Sequence, residues 1–329
     1  MRAALLAVLP VAAGALSLLV GATALSPADV ASTLLHPNAA GTLHTIVWQL
    51  RLPRVCIAAT VGASLALCGA LLQGMLRNPL VDPYLTGVSA GAAAAITIAI
   101  VAGVSAAATP GIGFAAGLGT ALLVAALARR GSGIDSNRLI LAGVSLSTLF
   151  AAIVTLALVR ADSNQYASAV VAWLAGSMAG RGWPDLAMAA PYMLLGAVLA
   201  LVAAAPLNAL RIGELRARAV GLNVKSAQWV MLAASSLLAA SSVVLAGLVG
   251  FIGLIVPHIA RRIVGSDARR LLPACASLGA ALCMVADAVC RRVVAPAELP
   301  IGVLLAFIGV PAFLYLYLRP TRVLGRDSL

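Results

Sequence analysis

Apolar runs of membrane length, separated by short polar breaks, recur along the whole chain, at about 3–25, 55–76, 84–104, 111–128, 139–159, 186–207, 227–248, 249–264, 271–290 and 301–318. A helix crosses the hydrocarbon core with about 20 consecutive apolar residues. The pattern therefore predicts ten transmembrane helices, and the period-two alternation of a membrane barrel is absent. The seventh and eighth runs are almost continuous and too long for one crossing. They divide best at "GLVGFIGL", where glycines allow a tight reversal. The first run reads as a span rather than as a cleaved secretory segment, because it outlasts a usual signal core.

Composition agrees with this reading. Hydrophobic residues make up 62% of the 329, charged residues only 10%, and mean hydropathy is +1.06, far from the balance of a soluble domain. The fold class is all-α integral membrane, a single transmembrane domain over 1–329. Aromatics are scarce at 4% while there are 30 glycines, which suits helices whose backbones approach closely. The net charge of +12 sits in the breaks between runs and forms no aromatic-studded basic surface, so nucleic acid is not a partner. Sixteen of the 22 Lys and Arg residues fall in one alternate set of breaks, and only Arg51, Arg54, Arg160, Arg181, Arg291 and Arg292 in the other. Positive charge stays on the cytoplasmic side, which places both termini there in the ten-span division. The predicted location is a membrane with one cytoplasmic face.

Arg51 and Arg54, in "QLRLPRV", thus face outward against the bias, at the mouth of the second span. Either they snorkel to lipid phosphates or they meet something acidic outside. The longest polar break, 207–229, contains a short helix. Leu215, Ala219 and Leu222 recur on one face, Glu214 and Arg218 pair at i, i+4 on another, and Gly221 ends the turn. That helix either rests on headgroups or enters a groove of a soluble partner. Asp287 is the one carboxylate well inside an apolar run, and its spacing from Arg291 favours a local ion pair. Gln73 lies deep in the second span. The five cysteines lack metal or redox spacing and read as buried small hydrophobes. His36, His44 and His258 form no metal-ligand pattern, and His258 is expected to hydrogen-bond to backbone.

The segments "RLPR", "GASLALCGALLQGMLRNPLVDPYLTGVSAGA", "RLILAGVSL", "AWLAGS", "GELRARAVGLNV", "GFIGLIVPHIARRIVGSDARRLLP" and "AELPIGVLLAFIGVPAFLYL" occur in this order over nearly the whole chain. They resemble permease subunits of type II ABC importers, the FecCD-type family that takes up ferric siderophores, haem and cobalamin. The resemblance implies ten helices per subunit, a homodimer with the pathway on its two-fold axis, two cytoplasmic ABC ATPase subunits, and a periplasmic substrate-binding protein. It assigns binding-protein docking to Arg51, Arg54 and Arg291, with Arg292 competing for the last place. ATPase coupling falls to Gly213, Glu214, Ala217, Arg218 and Gly221, in a cytoplasmic segment at about 208–226. The cytoplasmic gate falls to Asn78 and Leu80 after the second span and to Ser136 and Asn137 after the fourth. Spans five and ten are expected to line the pathway.

The chain has no G-x-x-x-x-G-K-[ST] loop, and its only lysine, Lys225, follows valine. Without a phosphate cradle it is not itself the ATPase, so ATP and Mg belong to the partner and no cofactor or metal is expected here. Arg181, in the outer break between the fifth and sixth spans, reads first as an interfacial anchor with Trp183; the alternative, that it meets the carboxylates of haem, makes haem the first expectation for cargo. Ferric siderophore and cobalamin are the alternatives. An ion-coupled carrier would need more buried carboxylates than Asp287.

Overall fold

The computed structural model describes residues 2–21, 23–36, 41–105, 107–130, 133–161, 164–294 and 297–318. The basic residues Arg319, Arg322 and Arg326, used above for sidedness, lie outside this set. The chain is built from α1 (Arg2–Leu19), α2 (Pro27–Leu35) and α3 (Thr42–His44), which continues through a π-helical turn, Thr45–Arg51, into α4 (Leu52–Met75). Then follow α5 (Val88–Val101), α6 (Thr109–Leu127), α7 (Ser136–Val159), α8 (Asn164–Leu174), α9 (Trp183–Val202), α10 (Ala204–Arg211) and α11 (Glu214–Ala219). The last four are α12 (Val224–Ala246), α13 (Ile252–Val264), α14 (Ala268–Val293) and α15 (Ile301–Leu318). Between α6 and α7 a hairpin pairs β1 (Arg129–Arg130) with β2 (Gly133–Ile134), antiparallel, Arg129 opposite Ile134.

Each apolar run carries a helix. Among the described residues six helical spans are long and apolar enough to cross a membrane: Thr42–Met75, Thr109–Leu127, Ser136–Val159, Trp183–Val202, Val224–Ala246 and Ala268–Val293. Apolar helices over Leu6–Leu19, Val88–Val101 and Ile301–Tyr315 are shorter. The division of the seventh and eighth runs falls where the sequence puts it: α12 stops at Gly247 (φ +68°), and Phe251, also left-handed at φ +68°, starts α13. The pattern of runs did not predict α2, α8 or α10, whose lengths of 9, 11 and 8 residues escape a window sized for crossings. The starts are fixed locally by side chains that take up free N–H groups. Ser26 and Asp29 form a capping box on α2, Asp135 caps α7, Asn223 caps α12 and Asp267 caps α14.

α4, α12 and α14 form the centre. The apolar window is 78% buried in α4 and in α12 and 61% in α14, against 17% in α7 and 22% in α9. With no water to drive helices together in lipid, close backbone approach has to do it. A Cβ added at Gly62 on α4 would overlap the Gly279 carbonyl on α14, and one at Gly279 would overlap that of Gly62. Gly69 lies in the same relation to Gly253 on α13. α7 and α15 keep apolar side chains open, among them Leu141, Leu149, Leu156, Phe307 and Ile308.

Candidate functional site

The candidate residues gather at the two ends of α4, whose 24 residues span about 36 Å at 1.5 Å per residue. At its N-terminal end three arginines meet the ends of α1 and α14. Arg51 is only 5% exposed. It donates to the carbonyls of Leu18 (2.6 Å) and Leu19 (3.1 Å) and to that of Thr23. Arg291, 7% exposed, donates to the carbonyls of Val20 (2.7 Å) and Ser17 (2.9 Å) and to the Ser17 hydroxyl (2.7 Å). Both cations therefore cap the free carbonyls at the end of α1, where the helix dipole is negative. Gly21 leaves the room for this, since a Cβ there would stand 2.7 Å from the Arg51 guanidinium.

Arg54 is held from two sides. Its Nη2 meets Asp287 Oδ1 at 2.9 Å, and its two terminal nitrogens meet the two oxygens of Glu298 at 2.9 Å each. Asp287, 1% exposed, also pairs with Arg291 Nε at 3.1 Å. The i, i+4 pair expected from spacing is present, and an arginine 233 residues away shares it. Arg292 is exposed while Arg291 is buried.

At the opposite end of α4, Arg77 borders a cleft of about 910 Å³. Ser136 and Asn137, with the hairpin residues Gly133 and Ile134, line one side, and Gly213, Glu214 and Arg218 line the other. The structure thus brings one predicted gate pair to the predicted coupling segment. Asn78 and Leu80 do not line this cleft. Asn78 Oδ1 accepts from the Leu80 N–H at 2.9 Å, closing a turn that leaves Leu80 43% exposed.

Gly213 (φ +111°) leads into α11 and Gly221 (φ +82°) ends it. The Leu222 N–H reaches the Ala217 carbonyl at 3.0 Å and the Gly221 N–H that of Arg218 at 2.9 Å, the Schellman arrangement that a left-handed glycine permits. One expectation for this helix needs correction. Among the described residues Glu214 makes no ion pair with Arg218; its carboxylate accepts instead from Gln228 Nε2 on α12, at 3.2 Å. The face carrying Leu215 and Ala219 is open, Leu215 being 85% exposed, and Ala217, fully buried, is the anchor. A helix of six residues has one turn to seat, and the α12 amide competes successfully for the carboxylate.

Neighbouring contacts stiffen this end. Gln73, 3% exposed, donates to the Gly253 carbonyl at 3.0 Å and accepts from Arg261 Nη1 at 2.8 Å. Asn208 on α10 donates to Asp267 Oδ1 at 2.7 Å and accepts from the Ala268 N–H at 2.8 Å. The Asn208 amide, with the Arg269 N–H, holds the Asp267 carboxyl below its usual range.

Arg181 lines a cavity of about 610 Å³ with Trp173, Ile96 and Val244, and its Nη1 pairs with Asp185 at 2.9 Å. Trp183 donates to the Trp48 carbonyl at 2.8 Å. Cys68, Cys275, Cys283 and Cys290 are buried, Cys56 is half-buried, and all five are free thiols. Against expectation, His258 Nε2 has no hydrogen-bond partner among the described residues. Sequence reasoning missed Arg54–Asp287, the capping of α1, and Gln228. The one available signal was Gln228's polarity in an otherwise apolar run.

The FecCD transport family matches residues 8–319. The chain is 41% identical over 281 residues to the cobalamin import system permease protein BtuC of Halobacterium salinarum, covering 84% of this chain and 74% of the relative. It is 38% identical over 280 residues to the hemin transport system permease protein HmuU of Yersinia pestis, covering 83% of each. Identity is 35% over 314 residues to the Fe(3+)-citrate import system permease protein YfmE of Bacillus subtilis, with 95% and 93% covered. A solved metal-chelate type ABC transporter in an inward-facing conformation superposes with a TM-score of 0.86 at 35% identity, over 95% of this chain and 97% of that one. With the family matched from end to end and its apolar helices in place, the chain belongs to the FecCD transport family and is a multi-pass membrane permease of the ABC class.

Proposed function

We propose that this permease is the membrane pathway of an ATP-driven importer that carries an iron chelate or tetrapyrrole from the periplasm to the cytoplasm. Membership of an ABC permease family implies an ATPase and a substrate-binding protein as partners. In our reading two copies of this chain pair across α7 and α15, whose open apolar faces then border the pathway, and ten helices of each cross the membrane. Both termini face the cytoplasm.

The observation that carries the reading is the separation of two unlike surfaces along α4. One end holds the arginine and acid cluster around Arg54. The other holds a six-residue helix whose Leu215 and Val220 stand 85% and 71% exposed, side chains a soluble groove would cover. The first is the docking rim for the binding protein, with Arg54 as its cation, Arg51 and Arg291 behind it, and Arg292 at the surface. The second is the coupling segment, inserted into the ATPase, with Ser136 and Asn137 as gate residues across the cleft and Asn78 and Leu80 as the second gate pair. ATP and Mg are bound by the ATPase.

Haem is the first cargo in this reading, through Arg181 at the wall of the cavity of about 610 Å³. The Arg181–Asp185 pair supports a second reading, a ferric siderophore or cobalamin, because it leaves that wall electrically balanced. The test is uptake into proteoliposomes holding the permease with its ATPase and binding protein, supplied in turn with haem, a ferric hydroxamate and cobalamin. ATP-dependent uptake insensitive to ionophores supports the importer, and the cargo accumulated decides between the readings. Uptake that collapses with an ionophore and persists without ATP refutes the importer.

A further inference from the structure

The two walls of the Arg77 cleft are joined by one buried side chain. Gln228 lies in the second turn of α12 and is 3% exposed. Its Oε1 accepts from the backbone N–H of Ile134 at 3.0 Å, and its Nε2 donates to Glu214 Oε1 at 3.2 Å. Neither end of the amide can be exchanged. A backbone N–H requires the carbonyl and a carboxylate requires the NH₂, so the two partners fix its orientation. Gly133 adjusts the fit, since a Cβ there would stand 3.3 Å from Gln228 Oε1.

Each partner belongs to a stiff element. Ile134 is paired in the β1–β2 ladder, the following Asp135 returns its N–H to the Ala128 carbonyl at 3.0 Å, and the Asp135 carboxylate caps α7 at the Arg138 N–H, 3.0 Å. Ser136 and Asn137 are the first residues of that helix. Glu214 opens α11, which Ala217 and the Gly221 cap hold as a unit. A displacement of α11 thus has a short polar route to the start of α7, of the two-ended kind needed to bias one element through another. A buried amide deprived of either partner is costly, so the link resists breaking.

We infer that Gln228 is a positioning residue that transmits movement of the coupling segment to the gate residues Ser136 and Asn137. The inference rests on the reading of α11 as the ATPase-coupling helix. It goes beyond that reading in naming the side chain that carries the motion and the gate pair that receives it.

The test uses the complete transporter, permease with ATPase and binding protein, in proteoliposomes. Three quantities are read: cargo moved per ATP hydrolysed, ATPase retained on the permease, and ATP-dependent thiol labelling of an Asn137→Cys reporter. Gln228→Glu keeps the acceptor for Ile134 but sets a carboxylate against Glu214. The double variant Gln228→Glu/Glu214→Gln rebuilds the bridge with its polarity reversed. The single variant should lower cargo per ATP by about fivefold or more, the lower range of measured couplings, and abolish the ATP-dependent change in labelling while retaining the ATPase. The swap should restore both. A merely structural role would lower retention of the ATPase along with transport, whereas a transmitting role lowers cargo per ATP with retention unchanged. Unchanged cargo per ATP in Gln228→Glu, or a swap no better than the single variant, overturns the proposal. Leu215→Asp separates the two levels. If it releases the ATPase while Gln228→Glu is silent, the coupling helix is read correctly and only the Gln228 link fails. If it leaves the ATPase bound and stimulated, the reading of α11 fails and the link falls with it.

Discussion

Replacing Asp287 by Asn removes one negative charge from the most enclosed cluster of the molecule while keeping its shape. Asp287 is 1% exposed, with Arg54 Nη2 at 2.9 Å and Arg291 Nε at 3.1 Å. At an effective dielectric near 20, a charge pair about 4 Å apart is worth about 4 kcal/mol, and two such pairs are lost together. Burying the carboxylate costs part of that, so breaking the cluster from one side is expected to destabilise the fold by about 3–5 kcal/mol. The amide's NH₂ would also point at guanidinium donors. Arg54 retains Glu298, whereas Arg291 loses its only charged partner among the described residues. The midpoint for heat-induced loss of the monodisperse protein in detergent should fall by about 5 °C or more. Arg292→Gln, at an exposed position, is the control and should stay within about 1 °C. Adding Arg54→Gln to the Asp287 variant removes the surplus cation, so the double variant should be less destabilised than the sum of the singles, by about 1–3 kcal/mol. An Asp287→Asn protein as stable as wild type, or strict additivity in the double, would refute the claim that this cluster is held by charge.

Gly69→Ala should cost about 1–3 kcal/mol in the same assay, since the methyl overlaps Gly253 backbone that cannot step aside; Gly119→Ala, with open space around it, should be neutral. Glu298→Gln removes the exposed acid that competes for Arg54, a pair worth about 0.2–1 kcal/mol. Equilibrium titration with the binding protein should then tighten by about 1.4- to 5-fold, and weaker binding would count against Arg54 as the docking cation. Asp267's carboxyl is held low by Asn208. Its contribution to stability is therefore complete above its unfolded pKa of about 3.9 and is lost as the pH falls through the lower folded value. Asn208→Leu should flatten acid-limb stability profiles accordingly.

What could be read from the chain was whatever the chain states locally. Runs of apolar residues mark helices because each helix satisfies its own backbone in lipid. Gly247 and Gly221 mark ends because only glycine takes a left-handed turn without cost, and Asp287–Arg291 was legible because four residues make one helical turn. The unread part lies in tertiary approach. Arg54 and Asp287 are 233 residues apart, and Gln228 and Ile134 are 94 apart; no periodicity connects them. Glu214 was assigned the wrong partner for the same reason. Its sequence neighbour Arg218 lies in solvent, where an ion pair is worth little, while Gln228 offers a buried donor. The resemblance supplied roles for Arg51 and Arg291 but not their burial, which follows from the free carbonyls at the end of α1.

The two ends of α4 therefore differ in the kind of force they use. At the Arg54 end, full charges are packed against one another and against helix carbonyls, so separating them is expensive and α1, α4 and α14 are tied to one another. At the Arg77 end, the hairpin and α11, both of which line a cleft of about 910 Å³, are bridged by the neutral Gln228 amide. Its bond to the Ile134 N–H is worth about 1 kcal/mol net and its charge-assisted bond to the Glu214 carboxylate about 1.5–3 kcal/mol, less than the cost of breaking the buried charge cluster. In the importer reading proposed above, a firmer anchorage at the Arg54 rim and a lighter bridge beside the candidate gate are the arrangement expected of rocking between packed bodies.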